Sequence, residues 1–520
     1  MSDNLNNVKE NKNGTKITVV QTAFFMAILT LISKLLGFVR EMVIAGFFGT
    51  SYVVDAYVMA QAIPGMLFGG LFVSIGTAYM PTFSGIVEKK GEVEGNKFTN
   101  QIINFLLVIT TIAFFVGFFL SEELVAIIAK DFSVKTAELT VFYLKITFGY
   151  TIFSCAASIL DAYMQYKGKF LQPIISGYFQ NIGIIVFAII SAYTSHYYLA
   201  FGMLIGYAMR LLYIFLMAKK ENYRYRIEVA FNQPVKQIVT LAIPVFISFS
   251  ITQLNTFVDK MLASGLVEGS IAALNYGMKV VDLITALTTA IIATIIYPKI
   301  TKAVSNKEWD FFNIAVEKGM TLLIIIAVPF SLGGILFSEE VVQVVYERGA
   351  FDEDATALTA SAFLFYASGL LFIALNTLLT QVYYSMRDMK TPVKCALVSV
   401  TTNIVLNLIL IDGMQHKGLA LSTSIAAGVN FLLLYLLLLR KYKQVKIFKS
   451  KKKLIKICCS AIIAVTFAVV AYEISINLIW APRIIYLGCA VLIASIIYLG
   501  LLMALNVDDI NILKDIIKRK

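Results

Sequence analysis

Apolar residues fill this chain in long runs separated by short polar stretches. About fourteen of these runs can cross a hydrocarbon core of about 30 Å, with centres near Leu31, Phe68, Ile109, Ile152, Ile184, Ile205, Ser248, Leu287, Ile325, Leu371, Leu406, Phe431, Val465 and Val491. Runs of this length predict transmembrane helices, because a backbone in hydrocarbon must satisfy its own hydrogen bonds. The expected fold is therefore an all-α polytopic membrane protein. Only residues 220–236 and 441–456 offer appreciable polar length, which leaves no room for a separate soluble domain.

Ionisable residues inside such runs mark the first candidate site. Residues 33–64, SKLLGFVREMVIAGFFGTSYVVDAYVMAQAIP, set Lys34, Arg40, Glu41 and Asp55 into otherwise apolar sequence. A charge at that depth is costly, so it normally faces a protein interior or a water-filled cavity. Lys34 and Glu41 fall about 20° apart on one helical face, and Arg40 projects roughly 100° away towards a neighbour. Gly46, Gly49, Thr50 and Ser51 then turn the chain, and Asp55 enters the next span. The competing reading is mutual neutralisation as helix-packing ion pairs, which are poor stabilisers when buried.

Composition agrees with the pattern: 59% of residues are hydrophobic and only 15% charged. The net charge of +12 would suit a nucleic-acid binder, but its placement argues otherwise. Most of the 44 lysines and arginines fall at the N-terminus, in alternate loops, in the run 440–456 and at the C-terminus, while Lys130, Lys135, Arg348, Lys417 and Arg483 fall in loops on the other side. By the positive-inside rule both termini are cytoplasmic, and topology accounts for the charge without nucleic acid. The five cysteines lie in apolar spans without metal-ligand spacing and read as small core hydrophobes. The polar first fifteen or so residues lead into an apolar span without a small-residue cleavage site, as in an uncleaved anchor.

The chain also echoes itself at a spacing of about 219 residues, the mark of a parallel-repeat transporter. FVREM at 38–42 returns as FVDKM at 257–261, YMP at 79–81 as IYP at 296–298, and Pro173 as Pro392. Six helices per copy relates the copies by an axis along the membrane normal. The expected division is a cytoplasmic tail over 1–16, a six-span lobe over 17–226, a second over 227–445, and two appended spans with a cytoplasmic C-terminus over 446–520.

Several motifs together resemble a known family. SKLLGFVREMVIAGFFG and DAYVMAQAIP, YMPTF at 79–83, YERGAF at 346–351, YYSMRDMKTPVK at 383–394 and HKGLALSTSIAAGVN at 416–430 are similar to the MurJ (MviN) lipid II flippases, within the multidrug/oligosaccharidyl-lipid/polysaccharide exporter superfamily. The resemblance spans essentially the whole chain. It implies fourteen helices, two lobes around a cationic cavity, and alternating access that carries an undecaprenyl-diphosphate-linked peptidoglycan precursor from the inner to the outer leaflet of the bacterial plasma membrane. The appended helices are implied to form a groove for the lipid tail. No enzymatic role is expected, and the partners implied are lipid II and membrane lipids, with a monomer as the expected state.

On this resemblance Arg40 and Asp55 fall on cavity-lining positions, Lys34 and Lys279 replace arginines there, and Glu41 replaces an aspartate. A further cavity arginine has no counterpart, since Phe68 and Gly69 stand at that point. Arg holds phosphate through two parallel hydrogen bonds and Lys acts as a point charge, so a diphosphate is the chemistry that this set fits. Lys279 and Asp282, three apart, can also satisfy each other.

A second constellation combines Asp259 with Asn403 and Asn407, four apart on one helix face, and Thr423. Carboxylate, amide and hydroxyl oxygens suit a hard cation, and matching positions in some relatives look like a sodium site. Interhelical hydrogen bonding is the plainer alternative. The expected driving force is a sodium ion or the membrane potential, with no other cofactor. Other functional readings are a paralogous flippase for another polyprenyl-linked oligosaccharide and a cation-coupled drug exporter, which would want an acidic, aromatic cavity. The run 440–456 suits anionic lipid or topology alone; His196 and His416 are expected in loops, and the acids between Glu339 and Asp354 read as a solvated face.

Overall fold

The computed structural model describes residues 19–228, 230, 232–446, 451–478 and 482–507. The N-terminal tail, residues 447–450 of the basic run 440–456 and the C-terminal basic residues lie outside them. Among the described residues the protein is all-helical, with seventeen α-helices: α1 (Val19–Phe48), α2 (Tyr52–Phe119), α3 (Ser121–Ile128), α4 (Val134–Thr147), α5 (Tyr150–Tyr166), α6 (Leu171–Tyr193), α7 (Leu199–Lys220), α8 (Gln233–Ala263), α9 (Ser270–Ile291), α10 (Tyr297–Ser305), α11 (Trp309–Leu336), α12 (Ser338–Tyr346), α13 (Glu353–Ser385), α14 (Lys390–Met414), α15 (His416–Lys441), α16 (Lys451–Leu478) and α17 (Arg483–Ala504). Among the described residues, twelve helical stretches are long and apolar enough to cross a membrane. The protein is thus a multi-pass membrane protein.

Sequence explains where several helices start. Ser133 caps α4 by accepting from the Thr136 N–H, Asn232 caps α8 with Pro234 just inside it, and Asp352 caps α13 by accepting from the Ala355 N–H. Each supplies an oxygen to a donor that the first turn leaves orphaned. The 68 residues of α2 would extend about 100 Å at the helical rise, far more than one crossing needs. Its charged middle, EKKGEVEG, carries the only interior departure from helical geometry noted there, at Gly91 with φ of 84°. That left-handed conformation costs glycine little.

The chain divides into two compact units, residues 1–271 and 272–520. The division falls after α8, whereas the expected lobe boundary falls before it. In the first unit, α2 packs against α5 around Tyr79, Phe83, Phe98, Leu106, Ile159 and Tyr163, and α5 packs in turn against α7. The connector after α7 runs extended along α2, and its carbonyls are taken up by a ladder of asparagines one turn apart. Asn96 donates to Asn222, Asn100 to Arg224 and Asn104 to Arg226, while the Tyr223 and Tyr225 hydroxyls donate back to Asn100 and Asn104. A stretch of extended backbone is thereby satisfied without a sheet.

In the second unit α11, α13 and α15 enclose a core that includes Phe312, Leu323, Leu378 and Tyr383. A five-residue π-helical turn, Ile292–Ile296, precedes Pro298, which has no N–H to give. The appended helices α16 and α17 dock through Tyr472 and Tyr486 against Phe337. The Tyr498 hydroxyl donates to the Ile325 carbonyl, and Arg483 pairs with Glu347 at 3.1 Å. Asp388, between α13 and α14, accepts from Thr391 Oγ1 at 2.7 Å, Lys441 Nζ at 2.7 Å and the Tyr442 hydroxyl at 3.2 Å. Burial raises its carboxyl, yet the bonds from Lys441 and Thr391 outweigh burial and hold it at about 2.

Candidate functional site

The buried charge of the first unit is organised by α1 and α6. Arg40 donates Nε to Glu41 Oε1 at 3.2 Å and Nη1 to Asn181 Oδ1 at 3.1 Å. Asn181 is fixed in turn by donating to the Gly177 carbonyl one turn earlier. The Arg40 side chain keeps 20% of its surface exposed and Glu41 keeps 9%. The two are therefore a pair inside the helix bundle. Lys34, on the same helix, is exposed and makes no hydrogen bond or ion pair among the described residues.

Asp55 stands at the start of α2, buried, and accepts the Gly269 N–H at 2.6 Å. The neighbouring Tyr52 N–H donates to Glu268 Oε1 at 3.0 Å. Gly269 has φ of 89°, and a Cβ there would lie 2.1 Å from the Thr50 carbonyl oxygen. The turn after α1 and the turn after α8 are thus clasped together, and the position admits only glycine.

Below this clasp α2 and α8 line a recess of about 180 Å³ with Gln61, Ala62, Gly65, Gln253, Thr256, Phe257 and Lys260. Two amides, a hydroxyl and a cation present hydrogen-bond donors along it. Tyr57, one turn before Gln61, is buried and lies in the electrostatic range of both Arg40 and Glu41. Further along, Gly69 and Gly70 face Phe249 and Phe246, where added Cβ atoms would lie 3.2 Å and 3.1 Å from the rings. Phe68 stacks on Phe72. Aromatic packing thus occupies the place where the resemblance leads one to expect another cation.

In the second unit Lys279 and Asp282 pair at 3.3 Å with both side chains substantially exposed. Asn407 Nδ2 donates to Asn403 Oδ1 at 3.0 Å, and Asn403 Nδ2 donates to Thr423 Oγ1 at 3.2 Å. Both asparagines are fully buried. The three supply neutral oxygens from α14 and α15, the donor type that a sodium ion takes. They also bridge the two helices without one. Asp259 is buried on α8, in the first unit. His416 is buried at the head of α15, with Nε2 against Ser361 Oγ at 2.8 Å, and does not stand in a loop.

Some residues here had not been singled out from sequence. Lys260 drew notice only as part of the echoed FVDKM. Asp161 and Arg210 pair at 2.6 Å between α5 and α7, with Gln180 and Ser176 bonded to them. Their signal was available, since both are ionisable residues inside apolar runs.

Charged and amide groups held inside a many-spanned helical bundle, beside a recess that they line, define a membrane transporter. The description "Lipid II flippase MurJ" matches residues 44–494 by family model, and the chain belongs to that family. It is 27% identical over 514 residues to a probable lipid II flippase MurJ of Rickettsia prowazekii, covering 95% of this chain and 99% of that one. A counterpart in Bdellovibrio bacteriovorus is 28% identical over 454 residues, covering 85% of each. Among solved structures, a lipid II flippase MurJ in an inward closed conformation superposes with a TM-score of 0.80 at 25% identity, covering 94% of this chain and all of that one. An inward-facing multidrug resistance transporter of the MATE family shares the fold, with a TM-score of 0.63 at 12% identity over 80% of this chain and 99% of its own.

Proposed function

We propose that this protein carries lipid II from the inner to the outer leaflet of the bacterial plasma membrane by alternating access, with both termini in the cytoplasm. The observation that carries the reading is the α2–α8 recess, in which Lys260 and the amides of Gln61 and Gln253 offer donors. Backed by the Arg40–Glu41 pair, and with Lys34 as a further cation on α1, it suits a diphosphate, which has acceptors only. Fourteen crossings follow if α1 counts as one and α2 as two. The Asp55–Gly269 clasp then lies at the outer face, where it closes the recess. Sodium, held by Asn403, Asn407 and Thr423, or the membrane potential would bias the access states, which an ion can do only through its differential affinity for them.

A paralogous role, with another polyprenyl-diphosphate sugar as cargo, is favoured by one feature: Phe68 and the Gly69–Phe249 contact fill the place of a family cation. Depletion in the native cell separates the two. Accumulation of lipid II on depletion supports the first reading; accumulation of a different lipid-linked sugar, with lipid II unchanged, overturns it in favour of the second.

A further inference from the structure

The second unit holds a polar recess whose chemistry differs from that of the α2–α8 recess. It measures about 360 Å³ and is lined by Ile373, Asn376, Thr377, Thr380 and Gln381, all on α13. The polar members recur at three- and four-residue spacing, so they form one stripe along the helix. Among the described residues the Thr380 and Gln381 side chains make no hydrogen bond to protein. The Asn376 amide nitrogen donates to the Ala427 carbonyl at 2.9 Å, which fixes its oxygen the other way. That oxygen is buried and meets no protein donor, and neither does the buried amide oxygen of Asn430, one turn beyond Ala427 on α15.

Unanswered amides and hydroxyls in a membrane helix are unstable against lipid and persist where they meet water or a polar ligand. Thr377, Thr380 and Gln381 line the recess with hydroxyl and amide groups that both donate and accept, which matches partners that do the same, whereas a diphosphate brings acceptors only and calls for cations. The stripe carries no charge. We infer that the α13 recess binds the uncharged, donor-rich part of a lipid-linked headgroup, its sugar hydroxyls and amide N–H groups, separately from the diphosphate. This rests on the lipid-linked reading above and assigns one part of the cargo to one face of α13.

The test uses the full-length protein in lipid nanodiscs and two probes, lipid II and undecaprenyl diphosphate, which lacks sugar and peptide. The variants are Gln381→Leu with Thr380→Val, and Thr380→Ser as the conservative control. Loss of two hydrogen bonds weakens binding by about tenfold. The double variant is expected to lose about tenfold in affinity for lipid II, to keep its affinity for undecaprenyl diphosphate, and to keep its melting temperature, while Thr380→Ser binds both probes as the wild type does. Unchanged affinity for lipid II in the double variant would overturn the inference, as would equal losses for both probes. Wild-type protein that binds neither probe would instead refute the lipid-linked reading, and the inference with it.

Discussion

Removing the Asp55 carboxyl should open the end of the recess that the clasp closes. In the wild type, Asp55 accepts the Gly269 N–H at 2.6 Å in a buried setting, and a hydrogen bond to a charged group contributes roughly 1.5–3 kcal/mol. If the bond exists only in the closed arrangement, Asp55→Ala removes that much of the preference for closure. A change of about 2 kcal/mol is roughly a thirtyfold shift in the ratio of open to closed. Gln61 follows Asp55 by six residues, about 9 Å along the helix, so a cysteine at the neighbouring Ala62 reports on the recess. In a background with the five native cysteines replaced by serine, a membrane-impermeant thiol reagent added outside should label Ala62→Cys at least tenfold faster when Asp55→Ala is present. Equal rates with and without Asp55→Ala would refute the reasoning, because the clasp would then contribute nothing to closure.

Arg40→Ala should abolish complementation in a strain dependent on this protein while leaving it folded and inserted. Arg40→Lys should retain only part of the activity, since a compact ammonium lacks the planar fork that binds a phosphate through two parallel hydrogen bonds; normal growth of the alanine strain would contradict this. Cysteines placed at Ser195 and Lys452 should be labelled from outside and inside respectively, and labelling of both from one side would mean a miscounted span. Asp388 sits at about 2, below its ordinary 3.8, so the stability it adds is present above the ordinary range and lost as pH falls towards 2. Asp388→Asn should therefore lower the melting temperature at pH 7, with a cost of roughly 1–3 kcal/mol, and the gap should close as pH falls from 4 to 2; a gap independent of pH would exclude the carboxylate as its cause. Sodium, against potassium at equal ionic strength, should raise the melting temperature of the wild type but not of Thr423→Val, and no effect in the wild type would leave Asn403, Asn407 and Thr423 as interhelical hydrogen bonds alone.

Much of the fold was legible because membrane helices announce themselves by length and apolar composition, and the family motifs are local strings. The candidate site was legible only in part. Arg40 and Glu41 stood out as charges in an apolar run, yet their adjacency in sequence did not reveal that Asn181, 141 positions away, completes the pair. Asp55 was visible as a buried acid, but its partner is a backbone N–H at a left-handed glycine, and backbone donors leave no trace in composition. The asparagines at 96, 100 and 104 carry a four-residue spacing that any helix face could show; what they hold is an extended connector with no period of its own. The α13 stripe is neutral, so a reading guided by charge passed over it.

The most direct test of the account is movement of the cargo itself. Proteoliposomes containing the purified protein and fluorescent lipid II on the inner leaflet should show that lipid arriving on the outer leaflet, where an added impermeant quencher reaches it, and arrival should fall to the protein-free rate with Arg40→Ala. Arrival at the protein-free rate with the wild-type protein, under an imposed sodium gradient and membrane potential, would contradict the account.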